Sequence, residues 1–260
     1  MLENNDAPTI GKAPMIELES FLLNGSVHDS PLNLSAKNLS CILGLNGAGK
    51  STLLRAIAGI HNDYKGRILF EGHPLEESHR KRARKLAWCP DKMEIPSSFR
   101  VMDILILGRY PIHEGYPSKS DHLACLKLLA DLDSENLADK LITEISAGEW
   151  QKVMVARTLA QETPFILLDE PTAHLDLKAA QKMMSVLKKA SESKTILVAM
   201  HDIRMAWHFS DQVWLMNQLS IVAHGPAKKT MTESLLEQLY GTKIEIHPKL
   251  GPLASYESIY

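Results

Sequence analysis

Residues Gly44 to Ser51 (GLNGAGKS) match the spacing G-x-x-x-x-G-K-[ST]. Glycines at Gly44, Gly47 and Gly49 let a backbone turn tightly and aim its N–H groups at phosphate oxygens. A helix opening near Ser51 would add the positive end of its dipole. In such a loop Lys50 reaches the β- and γ-phosphates and the Ser51 hydroxyl binds Mg²⁺. The whole run, Gly44, Leu45, Asn46, Gly47, Ala48, Gly49, Lys50, Ser51 and Thr52, is therefore expected to wrap a nucleoside triphosphate.

A second chemical group lies far along the chain. FILLDE places Asp169 and Glu170 at the end of an apolar run. Beside a phosphate loop, the aspartate suits Mg²⁺ and the following glutamate suits a general base toward water. In another setting the pair would be ordinary charges at a strand end. His201, closing TILVAMH, is placed to hydrogen-bond a γ-phosphate. Ser146 followed by Glu149 has the form of a capping box, and Ala147 and Gly148 keep that helix entrance small. A bare helix N-terminus suits a phosphate, although local physics alone reads this one as an ordinary capped helix.

The elements that must position these residues follow from periodicity. Met15 to Phe21 alternates as a strand, and LSCILGLNG is a buried strand feeding the glycine loop. A helix runs from Ser51 to about Gly59, and ARKLAWCP forms a strand stopped by Pro90. VMDILILGRY and DHLACLKLLADL read as helices, the latter with Leu123, Leu126 and Ala130 on one face. A third helix begins at Ser146. PFILLDE and TILVAMH are apolar enough to be parallel strands covered on both faces. The helix between them carries Leu177, Ala180, Met184 and Leu187 at spacings of three and four. The order predicts an α/β fold with a parallel sheet and an inserted helical subdomain.

Composition is that of a globular protein: 260 residues, 45% hydrophobic and 23% charged. A net charge of −2 gives no general attraction to nucleic acid or anionic lipid. Cys41, Cys89 and Cys125 are too scattered for a disulfide framework or a zinc site. The N-terminal residues lack the pattern of a signal peptide, and no apolar run approaches the roughly 20 residues of a membrane span. Any membrane role is expected to come through a partner. The run HRKRARK (His79 to Lys85) is read as the solvated face of a helix balanced by Glu76 and Glu77, not as a nucleic-acid patch.

The segment ISAGEWQKVMVARTLAQ resembles the signature of ABC ATPases, usually written LSGGE-[RQ]-Q. With GLNGAGKST before it, FILLDEPTAHLD after it and MHD further on, the resemblance covers nearly the whole chain. It implies a P-loop NTPase fold: a RecA-like core, an ABC-type N-terminal β-subdomain and an inserted helical subdomain at about 92–160. The single domain would span 15–245, between a tail at 1–14 and another at 246–260. The resemblance also implies ATP and Mg²⁺ at the site and a head-to-tail homodimer. Ser146, Ala147, Gly148 and Glu149 would then face the ATP held by the other subunit. Asp176, in AHLD, matches the loop that communicates across the pair, while Glu170 and His201 act in hydrolysis.

Within that family, VMDILILGRYP and the ending LLEQLYGTKIEIHPKLG are similar to importers of iron–siderophores, haem and cobalamin. This implies an ATPase on the cytoplasmic face of the cell membrane, peripheral to a permease and indirectly served by a substrate-binding protein. A groove formed largely by residues 91–117 would receive the permease. The alternatives are another small-solute importer, or a non-transport cassette such as the iron–sulfur cluster assembly ATPase. Three departures stand out. Asp91 (in LAWCPD) takes the place of the usual glutamine, Ala147 replaces the first signature glycine, and only Phe21 and His28 are available to stack on adenine near the N-terminus. Asp91 adds negative charge near the γ-phosphate unless it lies outside the site. Ala147 is harmless if its backbone is helical and harmful if φ is positive.

Overall fold

The computed structural model describes residues 16–23, 26–27, 32–61, 64–74, 78–93, 98–112 and 116–254. The first part of the chain forms β1 (Ile16–Leu23), β2 (Ser26–Val27), β3 (Leu32–Leu34) and β4 (Leu39–Leu43). Helix α1 (Lys50–Ile57) then leads to β5 (Tyr64–Phe70), β6 (His73–Pro74), α2 (His79–Ala83) and β7 (Leu86–Cys89). A helical block follows: α3 (Val101–Arg109), α4 (Lys119–Asp131) and α5 (Ala147–Ala160). The chain returns through β8 (Phe165–Asp169), α6 (Leu177–Ala190), β9 (Thr195–Ala199) and α7 (Ile203–Phe209). It continues as the hairpin β10 (Gln212–Asn217) and β11 (Ser220–Pro226), then α8 (Ala227–Thr230), α9 (Glu233–Tyr240), β12 (Ile244–His247) and β13 (Gly251–Ala254). The last hairpin spans the boundary expected at residue 245.

Two sheets organise these elements. The larger runs β11-β10-β4-β9-β8-β7, parallel throughout except at the β10–β11 hairpin. Its central strands alternate between two cores. Cys41, Ile166 and Val198 belong to a core shared with helices α3 to α7, whereas Ile42, Leu167 and Leu197 face α1 and the smaller sheet. Burial on both faces is why these strands read as unbroken apolar runs. The smaller antiparallel sheet is built on β1, which pairs with β2, β3 and β5. The loops after β4, β8 and β9 therefore emerge at one edge, the carboxyl end of the parallel strands, where open α/β sheets hold ligands.

The helical block packs tightly. A Cβ on Gly108 of α3 would lie 2.4 Å from the Arg157 carbonyl oxygen, so glycine is what lets α3 cross α5 this closely. Next to it, Arg109 donates to Asp121 Oδ1 at 2.6 Å, Glu162 Oε1 at 2.7 Å and the Ala160 carbonyl at 3.1 Å. This network corrects the face expected on α4. Leu123 is 66% exposed and Leu126 37%, while Asp121, Cys125 and Leu129 are buried. The buried guanidinium draws Asp121 inward, and that pairing sets the helix's rotation against the pull of two leucines.

Two other expectations change. Leu177 is exposed, because it directly follows the N-cap of α6, and Met183 joins Ala180, Met184 and Leu187 in the core. The basic run is not only a solvated face. Arg82 caps the end of α1 by donating to the Gly59 carbonyl at 2.8 Å, and Arg84 donates to the Pro111 carbonyl at 3.0 Å. Glu76 and Glu77 lie outside the described residues, as do His28 and the side chain of Phe21.

Candidate functional site

The glycine loop joins β4 to α1, and its glycines serve different ends. Gly44 passes so near β10 that a Cβ would lie 2.2 Å from the Met216 carbonyl oxygen. Gly49 has φ +100, a left-handed conformation, at the N-cap of α1. A Cβ there would also strike Leu219 Cδ2 at 2.4 Å. The loop encloses an open cleft of about 320 Å³, lined by Asn46 to Thr52, Asp91, Glu170 and Leu219. Lys50 is buried, and its ammonium donates to the carbonyls of Gly44 (2.8 Å) and Leu45 (3.3 Å).

Leu219 is a cleft residue that sequence reasoning missed. It sits in the β10–β11 turn with φ 66, after Gln218 with φ 44, and its N–H donates to the Ala48 carbonyl at 2.8 Å. Two positive φ values usually advertise themselves through Asn-Gly or Asp-Gly. Here the turn reads Gln-Leu and gives no such signal.

Asp169 ends β8 almost fully buried, and its Oδ1 accepts from the Ser51 hydroxyl at 3.0 Å. Its Oδ2 is buried with no hydrogen-bond partner among the described residues. Burial, then the charges of Glu170 and Asp91, push its pKa up, while Ser51 opposes the shift. An orphaned carboxylate oxygen beside a hydroxyl is an electrostatic debt that a hard cation relieves. Mg²⁺ takes one or two such protein oxygens and completes its shell with water and phosphate. Ser51 and Asp169 therefore fit that ion.

Glu170 next to it holds a strained backbone, φ +49, unusual for a residue with a side chain. Both ends of its peptide are pinned: its N–H donates to the Ala199 carbonyl at 2.9 Å, and Gln151 Nε2 donates to its carbonyl at 3.2 Å. The carboxylate is consequently aimed into the cleft, where Oε1 lies 3.9 Å from Lys50 Nζ and Oε2 lies 2.9 Å from His201 Nδ1. His201 is 66% exposed at the end of β9. Asp202 after it caps α7, accepting from the N–H groups of Arg204 and Met205 at 2.9 Å each. The structure thus brings Lys50, Ser51, Asp91, Asp169, Glu170 and His201 around the cleft and its rim.

Ser146, Ala147, Gly148 and Glu149 do not line this cleft. They form the start of α5, with the Ser146 N–H donating to Glu149 Oε2 at 2.8 Å and the Glu149 N–H to the Ser146 hydroxyl at 3.3 Å. Ala147 is the first helical residue and its φ is not positive, so its methyl needs no strained backbone. Ser146 and Ala147 are exposed. Gly148 packs on the loop before α6, where a Cβ would lie 2.9 Å from the His174 carbonyl oxygen. In that loop Asp176 caps α6, its Oδ1 accepting from the Ala179 N–H at 2.8 Å.

Residues 27–173 match the family model for ABC transporters. The chain is 33% identical to the petrobactin import ATP-binding protein of Bacillus anthracis, covering 86% of this chain and 92% of that one. Identity is 34% with the hemin import ATP-binding protein of Rhodococcus jostii, over 81% of this chain and 73% of that one. It is 33% with the manganese transport system ATP-binding protein of Listeria innocua, over 83% and 90%. In fold, the chain resembles a dimeric ATP-binding cassette solved with ADP and Pi, with a TM-score of 0.71 at 24% identity over 82% of this chain and 99% of that one.

Proposed function

The chain belongs to the ABC transporter family as the ATP-binding, ATP-hydrolysing subunit of an importer, and from that premise we propose that it drives uptake of an iron–siderophore, haem or cobalamin-type metal chelate. The observation that carries the mechanism is the convergence of Lys50, Ser51, Asp169, Glu170 and His201 on one cleft. Backbone N–H groups of the glycine loop and the start of α1 hold the phosphates, and Lys50 neutralises them. Ser51 and Asp169 hold Mg²⁺, which supplies charge compensation at the phosphates. Glu170, fixed at both ends of its peptide, takes the proton from the attacking water. His201 exchanges its contact with Glu170 for the γ-phosphate and so registers whether that phosphate is present. Asp91 stands on the cleft wall and makes the Asp169 charge harder to sustain without the cation.

A second copy completes the site in this reading. The Ser146–Glu149 helix start, exposed at Ser146 and Ala147, lies outside the cleft of its own chain, and supports a head-to-tail homodimer in which it meets the partner's ATP. No helix among the described residues is long and apolar enough to cross a membrane. Attachment to the cytoplasmic face therefore falls to a permease, docked against the helical block. The names of the petrobactin and hemin import relatives support the chelate reading. The manganese relative favours a bare metal ion as the second reading. Co-purification with a permease and its binding protein, followed by ATPase assay, decides between them. Stimulation several-fold by an iron–siderophore, haem or cobalamin upholds the chelate. Stimulation by Mn²⁺ alone overturns it.

A further inference from the structure

A second hollow, of about 340 Å³, opens beside the first, between Gly44, Leu45, Asn46, His201 and Tyr240. Tyr240 is the last residue of α9, followed by Gly241 in the left-handed conformation that ends the helix. Its phenol oxygen is buried beside the Gly44 backbone N–H, and its O–H proton has no acceptor among the described residues. A buried O–H without an acceptor is costly, so its persistence in a folded chain calls for an explanation. Burial, then the nearby Glu170 carboxylate, push its pKa well up, which keeps the group an O–H donor.

The surroundings of this phenol link it to His201 from two sides. On one side, α9 carries Tyr240 itself. On the other, β13 braces α7, the helix that begins two residues after His201. Gly251 lies so close that a Cβ would meet Trp207 Cδ1 at 2.6 Å, and His208 Nε2 lies 3.3 Å from the Leu250 carbonyl oxygen. Strand β12 is tied back to α9, with the Ile244 and Ile246 N–H groups donating to Glu237 (3.1 Å) and Glu233 (2.7 Å). The C-terminal unit from Glu233 to Ala254 thus grips the segment that carries His201.

We propose that Tyr240 is a positioning residue for ATP hydrolysis, whose O–H donates to the His201 ring once that ring turns from Glu170 toward the γ-phosphate. The proposal rests on the reading of the cleft as an ATP site. It explains why the O–H proton has no acceptor while His201 is bonded to Glu170, and it makes α9 and the terminal hairpin part of the switch. No proton is transferred through Tyr240; it orients the ring that meets the phosphate.

The test is Tyr240→Phe, which keeps the aromatic packing and removes only the hydroxyl. Steady-state and single-turnover ATPase are measured in the wild type, Tyr240→Phe, His201→Ala and the double variant. The expected result is kcat lower by about five- to tenfold in Tyr240→Phe, with KM for ATP within twofold and Tm not lowered. In the His201→Ala background the same change should have no further effect. Unchanged kcat in Tyr240→Phe overturns the proposal, as does an equal loss with and without His201. A merely structural role would instead lower Tm and leave kcat per folded molecule alone. If the wild type itself fails to hydrolyse ATP, the fault lies with the reading of the cleft.

Discussion

The cleft and the helical block treat their buried ionic groups in opposite ways. In the block, Arg109 is satisfied by two carboxylates and a carbonyl, and Asp121 is held well below the usual carboxylate range by the Ser118 hydroxyl and then by Arg109. In the cleft, Asp169 keeps one oxygen unpaired and its pKa is raised, while Glu170 sits on a strained backbone. Completed networks stabilise and specify a fold; incomplete ones leave interaction free energy to be gained on binding. Polar groups at the block are therefore complete without a ligand, and those at the cleft are not.

The sharpest way to break this contrast is Glu170→Gln. If Glu170 is the base, its amide variant slows hydrolysis by roughly 100- to 10,000-fold. ATP affinity, read by fluorescence of a labelled nucleotide, should survive, because Lys50 and the loop remain. Loss of the Glu170 charge relieves its repulsion of Asp169 and forfeits only a long 3.9 Å pair with Lys50, which keeps its two carbonyl acceptors, so Tm should change little. Undiminished turnover would remove Glu170 from the chemistry. In the block the opposite pattern is expected. Arg109→Ala leaves Asp121 buried without its cation and should cost on the order of 3 kcal/mol, seen as a Tm roughly 10 °C lower. A drop under 2 °C would show the network to be ornamental.

What could be read from the chain alone follows the same division. The glycine loop and the Asp169–Glu170 pair are legible because each is a short contiguous string whose chemistry is local. Leu219 and Tyr240 are not, since only the β10–β11 turn and α9 bring them to the loop, across about 170 and 190 residues of chain. The rotation of α4 is misread for a related reason: hydrophobic periodicity weighs Leu123 and Leu126 and is blind to a buried guanidinium arriving from α3. The capping roles of Asp176 and Asp202 pass unnoticed beneath their motif positions, although an aspartate just before a helix is itself a signal. Asp91, left open between site and surface, stands on the cleft wall.

The smallest effect separates the two aspartates by sign. The pKa of Asp121 is depressed by folding, so its stabilisation is fully present above its unfolded pKa of about 4 and is lost progressively as pH falls from there through the much lower folded pKa. That of Asp169 is raised, so its charge destabilises the empty chain above the folded pKa, and the cost vanishes once acid protonates it in both states. At neutral pH, Asp121→Asn should lower Tm and Asp169→Asn should raise it, each by roughly 2–4 °C per kcal/mol of change. Below about pH 4 the Asp169→Asn difference should be gone, whereas the Asp121→Asn difference only begins to shrink there and closes below the depressed folded pKa. With Mg²⁺ and ATP present, Asp169→Asn should also lose most of the stabilisation that the wild type gains by mass action. Scanning calorimetry across pH, with and without Mg–ATP, reads all of these together. An Asp169→Asn variant that melts lower than the wild type when empty would mean that its carboxylate is already satisfied in the fold, and the distinction between a finished block and an unfinished cleft would fail at its most specific residue.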